Sequence, residues 1–189
     1  SVSGNDNIGV GDLALASMTS GDANVGVGLQ AGRYVTTGDD NIAIGAYALL
    51  QTNTGSDNIA IGRYVLHANT SSGSNTAIGQ ECCTSATFSG NSVTAIGAWS
   101  LNANTSGVLN SAIGYGALQY NTTGSRNTGL GHSALKFTQA GGGQTVYDYA
   151  TGVGYDTRVS GNYQVQLGDS NASTYAYGAV QNRSDLRDK

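Results

Sequence analysis

The sequence predicts an all-β chain, a trimeric parallel β-solenoid or β-roll of 17-residue coils followed by a short hairpin-rich β tip. Three observations carry the prediction. First, the phrase Asn-Ile-Ala-Ile-Gly at Asn41 to Gly45 returns at Asn58 to Gly62, and in altered form ends at Gly11, Gly28, Gly79, Gly97, Gly114 and Gly131. The closing glycines are 17 residues apart at every step but one, and 18 apart between Gly79 and Gly97. A fixed short period is the signature of stacked coils. Second, each phrase sets two apolar residues around a small one. Third, a polar, glycine-bearing turn separates each coil from the next.

Within a coil, Ile42-Ala43-Ile44 has the alternation and β-branching of a short strand, with Ile42 and Ile44 on one face and Ala43 on the other. The small slot is Gly9, Gly26, Ala43, Ala60, Ala77, Ala95, Ala112 and Gly129, which predicts close approach of another chain or a ligand backbone. Three and four residues beyond the glycine lies a second pair, such as Ala48-Leu49 or Ala117-Leu118. It is too short for a stable helix and is expected as a strand or tight turn. The polar turn then closes the coil, with Gly4, Gly21, Gly38, Gly55, Gly90, Gly107 and Gly124 expected to supply positive φ. Asn7, Asn24, Asn41, Asn58 and Asn75 fall one above another, and at a strand spacing of about 4.8 Å their amides predict a hydrogen-bonded ladder.

These elements set the expected organisation: a β-solenoid shaft over residues 1–135, a hairpin-rich segment over 136–183, and a junction over 184–189. In the second segment Tyr163 to Gly168 and Thr174 to Val180 alternate as strands. Its tyrosines are expected at chain interfaces more than as sugar-stacking platforms. A chain so slender buries little apolar surface against its ordering entropy. The Ala and Gly row therefore predicts side-by-side packing of copies, a homotrimer being the natural closed arrangement.

Composition narrows the function classes. The 189 residues include 29 glycines and no proline, with a formal charge of −4. The eight Lys and Arg are scattered, so no basic stripe points to nucleic acid. No apolar run approaches the roughly 20 residues of a membrane span, so no membrane insertion is expected. No signal peptide is evident at Ser1, and the chain reads as a piece of something longer. Cys82 and Cys83 are adjacent where other coils carry Ala and Leu, and are read as buried fillers rather than a disulfide or metal pair.

Other chemistry-bearing residues give weak signals. His67 and His132 stand alone in the sequence and read as surface residues. Asp6, Asp39, Asp40 and Asp57 sit in turns, where Asp bonds its own backbone, without the dense carboxylates of a calcium loop. Glu81 is the single glutamate, so the carboxylate pair of a glycan hydrolase is not apparent. Asn69, Asn104 and Asn121 open glycosylation sequons but are read as turn residues. No cofactor and no metal site is expected.

The Asn-x-Ala-Ile-Gly coils, over roughly residues 4–135, resemble the β-roll heads of trimeric autotransporter adhesins and repeats of phage fibres, although the adhesin period is usually shorter. The end of the chain, Gln181-Asn182-Arg183-Ser184-Asp185-Leu186-Arg187-Asp188-Lys189, resembles the junction between a phage fibre or tailspike and its endosialidase-type C-terminal intramolecular chaperone. That resemblance implies self-cleavage just after Ser184, at the Ser184–Asp185 junction, with Ser184 as nucleophile and Lys189 as general base. Asp185 and Arg187 match the pattern, whereas Asp188 stands where many members have Leu. A buried lysine with lowered pKa can activate a serine. The resemblance further implies a virion tail fibre or appendage, extracellular, attached to other tail proteins. Its partner would be a host cell-surface glycan or an outer-membrane receptor. A cell-surface trimeric adhesin and a tailspike glycan depolymerase are the alternatives.

Overall fold

A computed structural model describes residues 4–52, 54–85, 88–138 and 146–172. Among them there is no helix. One three-residue strand per coil forms a single parallel sheet: β1 (Ile8–Val10), β2 (Val25–Val27), β3 (Ile42–Ile44), β4 (Ile59–Ile61), β5 (Thr76–Ile78), β6 (Thr94–Ile96), β7 (Ser111–Ile113), β8 (Thr128–Leu130), β9 (Thr151–Val153) and β10 (Val165–Leu167). The strands pair in unbroken sequence order, β1 to β10. Register follows the repeat, with Ala43 opposite Gly26 on one side and Ala60 on the other. The chain is a β-solenoid, as its period predicts.

The small slot faces inward, which corrects the expectation that it meets another chain. Ala43, Ala60, Ala77, Ala95 and Ala112 are buried within the single chain. What approaches them is the chain's own second segment. A Cβ added at Gly26 would meet Leu15 Cγ at 2.8 Å, and one at Gly129 would meet Leu118 Cγ at 3.2 Å. Leucine from one coil thus reaches across to the floor of the next, and only Ala or Gly leaves room. A file of Leu49, Leu66, Leu101, Leu118 and Leu135 against that floor is the core. The interior is narrow but the chain encloses it alone, and Ile42, Ile44 and their equivalents are left on the outside.

The second segment is a run of tight turns. Ala48 N–H donates to Gly45 O (3.3 Å), Tyr47 N–H reaches back a coil to Leu29 O (2.9 Å), and Leu49 N–H reaches forward to Val65 O (2.9 Å). Tyr47 and Leu49 adopt φ of 60° and 51°, and the same slots are left-handed in other coils. This alternation turns two consecutive side chains, Ala48 and Leu49, into the core, which neither strand nor helix would do. A left-handed L-residue costs about 1–2 kcal/mol, offset here by a backbone bond to a neighbouring coil.

The polar-turn glycines do not supply positive φ. That conformation falls instead on the residue before each Asn slot, as at Asp40 (55°) and Asp57 (59°). Gly38 and Gly55 are needed for space, because a Cβ there would collide with the carbonyl of Gly55 and Ser72 in the next coil.

The solenoid also runs past residue 135. In place of hairpins, β9 and β10 add in parallel to β8, residue 151 pairing with 128 and 165 with 151. The alternation at Tyr163 to Gly168 is therefore the tenth coil's strand. The stretch from Thr174 to Val180 lies outside the described residues.

Candidate functional site

The Asn row forms the ladder its spacing predicts. Asn24 and Asn41 each pass a backbone N–H and an Nδ2 to Oδ1 of the Asn one coil before, at 2.9–3.1 Å. Asn58 and Asn75 continue the pattern. Val93 occupies the slot in the sixth coil and ends the first ladder, donating its N–H to Asn75 Oδ1 (3.1 Å). Asn110 and Asn127 begin a second, which reaches Ala150 N–H. The sequon residues Asn69, Asn104 and Asn121 are fully buried. Their amides hold the turns at Ser72, Gly107 and Gly124, so they serve structure.

Carboxylates tie coils together rather than converge. Asp22 Oδ1 accepts from Asn5 N–H (2.6 Å), Asp39 Oδ1 from Asp22 N–H (2.8 Å), and Asp148 Oδ1 from Ser125 N–H (2.6 Å). Asp39 therefore bonds the preceding coil, not its own backbone as its turn position suggested. Glu81 accepts from Trp99 Nε1 and Gln80 Nε2, both at 3.0 Å. Among the described residues, no three His, Cys, Asp or Glu side chains are placed to hold a metal ion. A recess of about 510 Å³ beside the tenth coil is lined by Asp156, Arg158, Gln166, Asp169, Ser170 and Asn171. Its charge is largely self-neutralised, since Arg158 grips both Asp156 oxygens at 2.7 and 3.2 Å.

Aromatic side chains stack along the solenoid axis at recurring slots, two residues after the glycine at Tyr47, Tyr64 and Trp99 and one residue after it at Tyr115, His132 and Tyr155. Tyr47 and Tyr64 lie 4.9 Å apart and 6° from parallel. Trp99, Tyr115, His132 and Tyr155 form a longer column with centroids 5.4, 5.0 and 5.4 Å apart. His132 is thus exposed, as expected, but sandwiched between tyrosines. His67 meets Tyr64 edge-on at 5.5 Å, and partial burial lowers its pKa. Tyr149 and Tyr163 stack at 4.7 Å with Arg126 over Tyr149. Rings within these columns spend faces on their neighbours, while Tyr155 and Tyr163, each with one stacked neighbour, remain 63% and 75% exposed.

Cys82 and Cys83 are buried and free. Burial pushes both thiols up, Cys83 most strongly, and Cys82 Sγ donates to Gly97 O at 2.8 Å. They are core fillers. Ser184, Asp185 and Lys189 lie outside the described residues, so no geometry bears on the implied cleavage dyad. No protein-family model, curated protein or solved structure matches this chain.

Proposed function

We propose that this chain is the shaft of a virion tail fibre or appendage, assembled as a homotrimer, that carries attachment to a bacterial surface. The supporting observation is the unbroken sequence-order pairing of ten strands. Coils bonded only to their neighbours make length and a long lateral surface. The side chains best suited to chemistry, Glu81, Asp22, Asp39 and Asp148, hold neighbouring side chains or coils in place instead. Its partners in this reading are other virion tail proteins at one end and a host glycan or outer-membrane receptor at the surface. Maturation is self-cleavage after Ser184 with Lys189 as base, once a downstream chaperone desolvates the lysine.

Two experiments test the reading. Fluorescent protein is incubated with candidate host cells, and saturable binding that blocks phage adsorption is expected. Absence of binding across hosts of the source phage would defeat the attachment reading. Separately, the chain is expressed with its downstream region, and intact mass should show a break after residue 184 that Ser184→Ala abolishes. An unbroken native product would remove the maturation step.

A further inference from the structure

The outer face of the sheet is aliphatic along the whole solenoid. The third strand position is Val, Ile or Leu in all ten strands, from Val10 to Leu167. None of these ten is buried: Val10 is 56% exposed, Ile44 38%, Ile113 40% and Leu130 44%. The first strand position adds Ile8, Val25, Ile42 and Ile59 at one end, then hydroxylated residues from Thr76 to Thr151, and Val165 at the other end. Together they present a strip on the order of 1,000 Å² per chain, beyond the roughly 300–600 Å² of the largest patch on a typical monomer. A closed three-chain ring divides the strip between two neighbours, about 500 Å² toward each against the roughly 800 Å² per partner of a standard single interface, so its stability rests on both contacts together.

We infer that this strip is the self-association face, on which two further copies of the chain pack parallel and in register around an axis along the solenoid. This rests on the fibre reading, and it moves assembly from the buried Ala row to the opposite face of the same strands. The occupant follows from pitch. The aliphatic rows repeat at the coil spacing, about 4.8 Å, and only another stack of the same pitch presents matching grooves over ten layers.

The flanks fix the direction. On one side of each strand lies the exposed residue before the Asn slot, and on the other the residue after the glycine. Parallel cyclic packing brings these columns together coil by coil. It places Arg63 opposite Asp57, Gln80 opposite Ser74 and Tyr155 opposite Tyr149, which are charge-paired, hydrogen-bonding and aromatic layers. Only the first coil sets like charges together, Asp12 against Asp6. Antiparallel packing would set like columns together in reversed order, Tyr155 against Leu29 and Tyr149 against Ala23, and lose the match.

Sedimentation equilibrium on the native chain at micromolar concentration should give a three-chain mass. Ile44→Glu with Ile113→Glu, both at positions the lone chain leaves exposed, should weaken association at least 100-fold and give a one-chain mass with an unchanged far-ultraviolet spectrum. A one-chain native mass, or a three-chain mass in the double variant, overturns the assignment. Should the variant unfold, Asp57→Cys with Arg63→Cys decides. Within one chain the three-residue strand β4 stands between these positions, about 10 Å for the strand alone and beyond the roughly 7 Å Cα limit of a disulfide, so oxidation should yield a closed three-chain species. Absence of that species overturns the assignment. A three-chain particle that ignores host cells defeats attachment and leaves the strip assignment standing, while cell binding by a one-chain particle does the reverse.

Discussion

Replacing Asn41 with Ala removes four side-chain hydrogen bonds from the interior. Asn41 Nδ2 donates to Asn24 Oδ1 (3.0 Å) and Gly55 O (2.9 Å), and its Oδ1 accepts from Asn58 N–H (3.1 Å) and Asn58 Nδ2 (3.0 Å). Two of the four partners have cover. Asn24 Oδ1 keeps the Asn41 backbone N–H, and Asn58 Nδ2 keeps Ser72 O. The Asn58 N–H and the Gly55 carbonyl lose the bond the side chain gave them. A buried polar group left without its partner costs about 1–3 kcal/mol, so the variant should lose about 3 kcal/mol. At a urea slope of about 2 kcal/mol/M, the midpoint should fall by about 1.5 M. Each coil bonds only to its neighbours, so hydrogen exchange should quicken most at residues 41–43 and 58–60. A midpoint shift below about 0.3 M would refute the claim that the ladder holds the coils.

Three further outcomes are expected. Ala23 is exposed with φ of 55°, and Ala23→Gly removes only a Cβ. Relief of about 1–2 kcal/mol of left-handed cost less the entropy of glycine should raise the urea midpoint by an amount worth about 0.5 kcal/mol. The folded pKa of His67 lies below its ordinary value of 6.5, so the unfolded chain binds more protons near pH 6. Stability should be fully present above pH 6.5 and fall as pH drops below it, and His67→Gln should flatten that part of the stability–pH curve. Cys82 and Cys83, buried with raised pKa, should resist a thiol reagent at pH 7.5 in native buffer and react completely in denaturant.

The period, the parallel stacking and the Asn ladder were legible because each is set by spacing alone. Once Asn24, Asn41 and Asn58 recur at 17, their amides have no other geometry available. The inside and outside of the strand were not legible. Alternation at Ile42-Ala43-Ile44 says that two faces exist, and the larger residues pass for the interior unless the reach of Leu49 and its equivalents across a narrow coil is known. The left-handed slots at Tyr47, Leu49 and Asp57 were hidden for a related reason. Nothing in the side chain of Leu or Tyr favours positive φ, which here comes from hydrogen bonds to adjacent coils. The aromatic columns were only partly legible, since the slot two residues after the glycine holds Tyr47 and Tyr64 but Glu81 in the next coil, and the column resumes at Trp99 before moving to the slot one residue after the glycine at Tyr115, His132 and Tyr155.

The order of the strands has an evolutionary corollary. Since every rung touches only the rung above and below, duplicating or losing a 17-residue unit changes reach by one step of about 4.8 Å and leaves all remaining contacts intact. A lineage can therefore tune the length of the solenoid by slippage in the gene, with no redesign of the protein's interior.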